Sequence, residues 1–574
     1  MVLMFVKKIK NTKGRIFLEI VDGFRGENGI STHKVIEKLG YLDDLDKLHD
    51  DGLEWAKNRA KELTENSRIG VSSELTLQPG KIMSPNINKK REIGALALKP
   101  IFKTLELDKV CKALQAKNDK FEGNLSDILE FLIQSRVIFA DSRRSSYSKK
   151  EQLIDNFSFS EEQMYRSMEI FGDSWEQLKD YATRKAIEKY NLDLSITHYD
   201  GCNFYFEIDM EDEFRRKGVS KEGRPEPIVN FGMLSDKNLI PIDLRIYPGN
   251  ESEHNYFSKV IEDMKTKFNT KKIIYVADRG LNSGKNIFTA IKTGNGYIYG
   301  QSINSEKLRK WALLDNDYKC KFNALGDLIY KEKSWVDNEA TITVMNSQGK
   351  SEKLKVIQKQ IVFWSKDYAT KQKMEREKLI NKAKAFIGSP KAYTKEKIGD
   401  ASVFVKFANF NKDGEFVPDV ESKPCLDIDA INKRAELDGY FMVVSSETNM
   451  TDQEILNAYS EQKGQERNFR VDKSYLKIRP VHVSREKRIK THVLVCYFSL
   501  LILKLMEVKV LNYKYAIEQI IDSLREYEGA LIGMNTYFLF KYNEIIDSLA
   551  NLSGQNARLE LQSLSMLKKL FSNY

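Results

Sequence analysis

A short apolar run, Ile273-Ile274-Tyr275-Val276-Ala277, stops abruptly at Asp278-Arg279-Gly280, and it constrains the fold more than any other stretch of the chain. Five consecutive apolar residues with no polar alternate read as a strand buried on both faces. Amphipathic helical patterns flank the run, "HNYFSKVIEDMKTKF" at 254–268 and "SGKNIFTAIKTG" at 283–294, and "YIYGQSI" follows as another strand. Upstream lie three β-rich segments, "LSITHYDGCNFYFEID" (194–209), "EPIVNFGMLSD" (226–236) and "LIPIDLRIYPG" (239–249). Their links contain Gly, Pro, Asp and Asn, so adjacent antiparallel strands are expected. The order β-β-β-α-β-α-β starts as a meander and then alternates with helices, which predicts a mixed α/β sheet flanked by helices.

The rest of the chain is organised around this block. Residues 4 to 20 read as a β-hairpin around "NTKG", and "LEWAKNRAKELTE" as a charged helix. From about 123 to 192 a helical period dominates; "SDILEFLIQSRVIFA" has an N-cap candidate at Ser126 ahead of Leu129, Leu132, Ile133 and Val137. Residues 301–436 break the alternation with strands ("ATITVMN", "KLKVIQKQIVFWS"), a long charged helix and turn-rich segments, and read as a β-rich insertion. The strand "GYFMVVSS" (439–446) resumes the pattern, and a helix follows behind a cap at Thr451. The expected organisation is a mixed strand/helix domain at 1–115, a helical domain at 116–193, a core from 194–300 and 437–510, the insertion at 301–436, and a mostly helical C-terminal region at 511–574.

Composition excludes some classes. A chain of 574 residues is too long for one core, and 41% hydrophobic with 30% charged residues suits a soluble globular protein. The longest apolar run, "VLVCYFSLLIL" (493–503), has eleven residues and reads as a buried helix, too short to span a bilayer. The opening "MVLMFVKKIKN" is too short in its apolar part for a secretory signal. Five scattered cysteines without a C-x-x-C pair argue against a disulfide scaffold and a thiolate zinc site, and fit a reducing cytoplasm. A net charge of +10 permits nucleic-acid binding without indicating it.

Three carboxylates stand out. Asp200 lies inside an otherwise apolar and aromatic strand, where a carboxylate is costly unless paired, hydrogen-bonded or metal-bound. The competing reading makes it a turn residue, because Gly201 follows. Asp278 ends a strand, where it is either a metal ligand or a helix cap. Tyr459, Glu466 and Lys473 recur at intervals of seven, close to two helical turns, so they share a face. Gln462, Lys463, Arg467 and Arg470 lie on or beside it, and a solvated, salt-bridged face is the alternative.

These stretches, with "GVSKEGRPEPIVNFGMLSD", "YPGNESEHNYF", "VADRGLNS" and "DGYFMVVSSETNMTDQEILNAYSEQKGQERNFRVDKSYLKIRPVHV", resemble insertion-sequence transposases of the DDE type. The resemblance covers most of 195–300 and 437–505. Such proteins carry a Tyr, Arg, Glu, Lys signature on the last core helix; Tyr459, Glu466 and Lys473 match it, while Gln462, followed by Lys463, stands at the Arg position. The resemblance implies an RNase H-like core interrupted by a β-rich insertion. It implies that Asp200, Asp278 and Glu466 are the catalytic residues and bind two magnesium ions, with manganese able to substitute. The implied chemistry cleaves the element's ends and joins the 3′-hydroxyl to target DNA, with hard carboxylate oxygens as sufficient ligands. Tyr459, Lys473, Arg279, Gln462, Lys463 and Arg470 become DNA-binding candidates. Tyr459 reads alternatively as a core aromatic, Lys473 as a surface lysine, and Arg279 as a salt-bridge partner. The implied partners are double-stranded DNA, at terminal inverted repeats and target, and a second copy in a homodimer on DNA. The implied setting is the bacterial cytoplasm, associated with the nucleoid, with no membrane. The basic clusters "RRSSYSKK" (143–150) and "KKR" (89–91) fit a DNA role for the N-terminal regions. A nuclease that cuts without joining, or a catalytically silent DNA-binding regulator derived from a transposase, is the alternative.

Overall fold

Hydrophobic alternation early in the chain produces three antiparallel strands, β1 (Met4–Lys10), β2 (Ile16–Arg25) and β3 (Ser31–Tyr41), in that order. Helix α1 (Gly52–Arg68) closes a small core of Leu18, Leu45 and Ala56 with Leu53 and Trp55. In this computed structural model the strands and helix belong to one compact unit, Met1–Ile87, and the remainder, Asn88–Tyr574, forms a second. Residues 88–115 thus belong to the second unit, whereas sequence expects a boundary near 115. The structure describes residues 4–10, 14–25, 31–49, 51–68, 90–208, 210–221, 223, 225–303, 305–345, 348–411, 414–417, 423–532 and 535–574. The tip of the expected "NTKG" turn and Lys89 lie outside these residues.

The second unit opens with a short strand, β4 (Lys90–Glu92), and a helical region that includes α2 (Leu125–Ile138), α3 (Glu161–Asp173) and α4 (Trp175–Tyr190). The cap of α2 is Asn124, not the expected Ser126: its side chain accepts from the Ser126 and Asp127 N–H groups. The core follows as β5 (Ile196–Tyr205), β6 (Ile228–Ser235), β7 (Pro241–Pro248), α5 (Glu253–Phe268), β8 (Ile274–Ala277), α6 (Gly284–Lys292) and β9 (Gly296–Gln301). The insertion contributes β10 (Lys319–Phe322), the long hairpin β11 (Leu328–Met345) and β12 (Ser351–Ser365), and α7 (Lys366–Gly388). The last core strand is β13 (Tyr440–Ser445).

These strands make one nine-stranded mixed sheet, ordered β10-β11-β12-β13-β9-β8-β5-β6-β7. β5, β8 and β9 are parallel; β5–β6, β6–β7, β9–β13 and β12–β13 are antiparallel. A β7-β6-β5-β8-β9 order, with a meander followed by parallel strands reached through helices, is RNase H-like. The insertion hairpin therefore extends the core sheet through β12, while α7 and the segment after it enclose a satellite core around Ala383, Phe386, Ile398, Ala401 and Phe404.

Each face of the sheet is covered. Tyr199, Tyr275 and Tyr299 point into the main core against Phe257 of α5, and Tyr297 stacks on Tyr299 there. Val276, Ile298, Ile361 and Val443 point the other way, onto Ile455, Leu456 and Ala458. Those last residues belong to α8 (Asp452–Glu461), capped by Thr451, whose hydroxyl accepts from the Glu454 N–H. The expected single helix from 451 to 475 breaks at Gln462 and continues as α9 (Lys463–Arg470) and one π-turn, Val471–Tyr475. The apolar run becomes α10 (Glu486–Leu505), buried around its whole circumference. The tail departs from the mostly helical expectation. Beside α11 (Ile517–Glu526) and α12 (Glu544–Leu552) it holds β14 (Glu528–Leu531), β15 (Thr536–Leu539) and β16 (Leu561–Ser563), in a four-stranded sheet ordered β16-β15-β14-β4. Strands of three or four residues are too short to show a period of two above the helical pattern around them.

Candidate active site

Strand register brings the first two carboxylates together. Tyr199 of β5 pairs with Ala277 of β8 in parallel, so the next residue along each strand is Asp200 and Asp278. Parallel neighbours lie about 4.8 Å apart and residues in register share a face. His198, two residues before Asp200, pairs with Val276, which faces α8; Asp200 and Asp278 therefore face the side covered by α8 and α9. β5 runs unbroken through Asp200-Gly201, paired residue by residue with β6, which removes the turn reading of Asp200. Asp278 sits where β8 ends, and its Oδ1 accepts from the Arg279 N–H at 2.7 Å. It thus caps the short turn that follows and remains exposed toward the sheet's carboxyl end.

The helix carrying Glu466 is bolted to these strands by amides. Gln462 Nε2 donates to Tyr199 O at 2.7 Å, and its Oε1 lies 3.2 Å from His198 Nδ1. Burial pushes the His198 pKa down to about 4, so at neutral pH the ring is neutral and its Nδ1–H donates to Gln462. Gln465, fully buried, donates to Met233 O at 3.1 Å and accepts from Ser235 Oγ at 3.0 Å. Phe469 packs edge-on against Phe231 of β6. Within the π-turn Lys473 approaches the Cys202 thiol, whose pKa burial raises and Lys473 lowers. Glu466 lies one turn after the anchor at His198–Tyr199 and before the anchor at Cys202, with its side chain exposed. The helix thus runs along the stretch of β5 that contains Asp200.

Tyr459 donates from its hydroxyl to Asp278 Oδ1 at 3.2 Å and packs on Phe441. Burial, with Asp278 adding to it, raises the phenol pKa. Tyr459 is thus both a packed aromatic and a neighbour of the carboxylate. Arg279 and Lys463 are exposed. Arg470 donates to Glu518 at 3.1 Å, beside Arg467, which forks onto the same carboxylate. Gln462 is buried and its amide is engaged with β5, so it fixes the helix, while its neighbour Lys463 is exposed.

Two residues of the site went unnoticed in the sequence. Lys221 lies in the long link between β5 and β6, and its ammonium donates to Gly201 O and stands 3.5 Å from Asp200 Oδ1. The link is fastened by Asn203 Nδ2, which donates to Val219 O at 3.2 Å. Glu253 opens α5 and reaches the sheet at Gly201, where a Cβ would overlap its Oε1. That oxygen is buried and has no hydrogen-bond partner. Burial pushes the Asp200 and Glu253 carboxyls above the usual range and Lys221 pulls both back; Asp278 raises both further, and Asp200 adds to the rise of Glu253. The signals were present but ordinary: an acid in a helix first turn and a lysine in a loop.

Asp200, Asp278 and the orphaned Glu253 Oε1 offer oxygen donors only, an excess of negative charge answered locally by one ammonium, and this suits a hard divalent cation. Among the described residues no three His, Cys, Asp or Glu side chains already stand close enough to share an ion, and Glu466 in particular points to solvent.

A mixed sheet of this RNase H-like order, with carboxylates in register on two neighbouring parallel strands, fits the class of DDE recombinases. Two family models match accordingly: "IS1634 family transposase, N-terminal domain" over residues 5–74 and "Transposase DDE domain" over residues 213–502. The second spans half of the chain, and the protein belongs to the DDE transposases of insertion sequences. No curated protein matches the chain. Among solved structures, a piggyBac transposase in a synaptic complex with hairpin DNA is similar at 8% identity and a TM-score of 0.37, over 77% of this chain and 80% of that one. No helix among the described residues is long and apolar enough to cross a membrane.

Proposed function

We propose that the protein cleaves the ends of its insertion sequence and joins the freed 3′-hydroxyl to target DNA, with Asp200, Asp278 and Glu466 as catalytic carboxylates. The observation that carries this reading is the β5–β8 register, which sets Asp200 beside Asp278 on the face where α9 carries Glu466. Asp200 and Asp278 would hold the divalent metal, magnesium with manganese as substitute, and Glu466 would complete the set. Bound there, the metal supplies Lewis-acid charge to the attacking and leaving oxygens of a phosphodiester. The chain's own part is positional. Gln462 and Gln465 fix the helix that carries Glu466; Tyr459 orients Asp278; Lys221 balances the local negative charge. No protein nucleophile is needed, since water and then the 3′-hydroxyl attack phosphorus.

Tyr459 and Arg279 lie beside Asp278, and with Lys463 on α9 and Lys473 in the π-turn after it they are the candidate contacts to the transposon end, Lys473 as a phosphate point charge. Arg470 shares Glu518 with Arg467 and would have to exchange that partner for a phosphate. Joining two ends requires that they be held together, so a homodimer on DNA is part of the proposal. The test is an assay with a labelled terminal inverted repeat and a target plasmid. Wild-type protein with magnesium yields cleaved ends and joined products; Asp200→Asn, Asp278→Asn and Glu466→Gln yield neither. Cleavage without joining would reassign the protein to a nuclease, and turnover in the presence of a chelator would refute the metal.

A further inference from the structure

Away from the carboxylates, a cavity of about 220 Å³ lies between the end of α2, the segment 140–143, the segment 477–483 and α10. Its floor holds two arginines, Arg136 and Arg143, 2% and 3% exposed. Its exposed rim carries Lys477, Pro480 and His482. Burying one guanidinium without a counter-charge is costly, and burying two side by side is more so. Yet among the described residues neither forms an ion pair, and Arg136 Nε, Arg143 Nε and Arg143 Nη1 are buried without any hydrogen-bond partner. The one carboxylate at the cavity, Asp141, is engaged by Lys149 at 2.5 Å and by Ser145.

What partners the arginines do have fix their direction. Arg136 Nη1 donates to Leu476 O at 3.1 Å, just after the π-turn that carries Lys473. His492 Nε2 lies 2.8 Å from Ile478 O and donates to it, which leaves His492 Nδ1 to accept from Arg143 Nη2 at 3.2 Å. Burial together with both arginines keeps His492 neutral, consistent with that tautomer. Burial and the Arg136 charge also pull the Arg143 pKa down to about 9, as expected for a cation without a counter-ion. One edge of each guanidinium is thus held by the protein and other N–H groups are left unmatched, a donor set that suits a phosphate oxygen.

We propose that this cavity is an anion site that takes a phosphate of the DNA backbone, with Arg143 and Arg136 as donors, His492 orienting Arg143, and Lys477 guiding the strand at the rim. This rests on the transposase reading for the identity of the anion. The segment that lines the cavity follows directly from α9 and the π-turn, so the site would couple DNA grip to the helix that carries Glu466.

The test uses the full chain, a long random-sequence duplex and inorganic phosphate as probes. Affinity for the duplex is measured across a salt series, beside thermal unfolding with and without phosphate. Arg143→Met is expected to bind several-fold more weakly and to lower the slope of log affinity against log salt by about one, the signature of one lost phosphate contact. Its unfolding midpoint without ligand is expected to stay level or rise, because an uncompensated buried charge is gone. Phosphate is expected to stabilise the wild type and not Arg143→Met. If Arg143→Met keeps the wild-type slope, the proposal is overturned, including the case in which phosphate still protects only the wild type, which would mark a free-anion site. If the wild type itself binds no DNA, the transposase reading fails first.

Discussion

Gln465 is the side chain on which the placement of Glu466 most depends, and replacing it is the sharpest test of how the site is built. It is fully buried, and its amide makes three sound hydrogen bonds: to Met233 O at 3.1 Å, from Ser235 Oγ at 3.0 Å and from Asn468 Nδ2 at 3.1 Å. A longer contact reaches His198 O at 3.4 Å. Leucine has nearly the same volume, so Gln465→Leu opens little cavity. It does strand the Ser235 hydroxyl and the Met233 carbonyl in the core. At roughly 1 kcal/mol net per lost bond the cost is about 3 kcal/mol. Urea unfolding followed by tryptophan fluorescence reads that cost as a lower midpoint, and an end-cleavage assay reads the loosened helix as lost activity. Glu466→Gln supplies the contrast, because its exposed side chain should leave the midpoint unchanged while activity disappears. A Gln465→Leu protein with wild-type midpoint and wild-type cleavage would refute the argument that amide bolts position the helix.

The buried pair below the sheet gives a pH test. Asp243 is 1% exposed; against burial, which pushes its pKa up, Lys179, Arg245 and Lys267 hold it down near about 2. A folded-state pKa below the unfolded value means stability that is present at neutral pH and is lost as pH falls from about 4 toward 2. Asp243→Asn leaves Lys179 only Asp180, at 3.3 Å, as a counter-charge, and should cost roughly 3 kcal/mol at pH 7 while flattening that acid limb of the stability curve. At Gly201 an added Cβ would overlap Glu253 Oε1, so Gly201→Ala should displace Glu253, cost roughly 1–3 kcal/mol and reduce end cleavage; unchanged melting and cleavage would show that the close approach is unimportant.

The parts of the fold legible in the sequence are those where a long apolar period meets a charge. The run ending at Asp278 read correctly as a strand because both its faces are covered, and Thr451 read as a cap because the capping box is local. Asp200 stayed ambiguous, since Asp-Gly has the same letters in a hairpin as in a strand; only the β6 pairing decides between them. The break at Gln462 was invisible because the seven-residue recurrence of Tyr459, Glu466 and Lys473 runs across it, and its cause is tertiary, an amide drawn onto the β5 backbone. Lys221 and Glu253 converge on Gly201 from a loop and a helix start more than thirty residues apart in the chain, and nothing in their local patterns marks them. The C-terminal strands were missed because each is so short that only its pairing shows it, β14 with β4 far upstream and β15 between β14 and β16.

The central claim is that carboxylates from two neighbouring strands and one helix hold the same divalent cation. Titration of the DNA-free protein with manganese, followed by electron paramagnetic resonance, tests it without recourse to activity. The account predicts saturable binding by the wild type, loss of it in Asp200→Asn and in Asp278→Asn, and weakening in Glu466→Gln. Equal binding by all four proteins would contradict it.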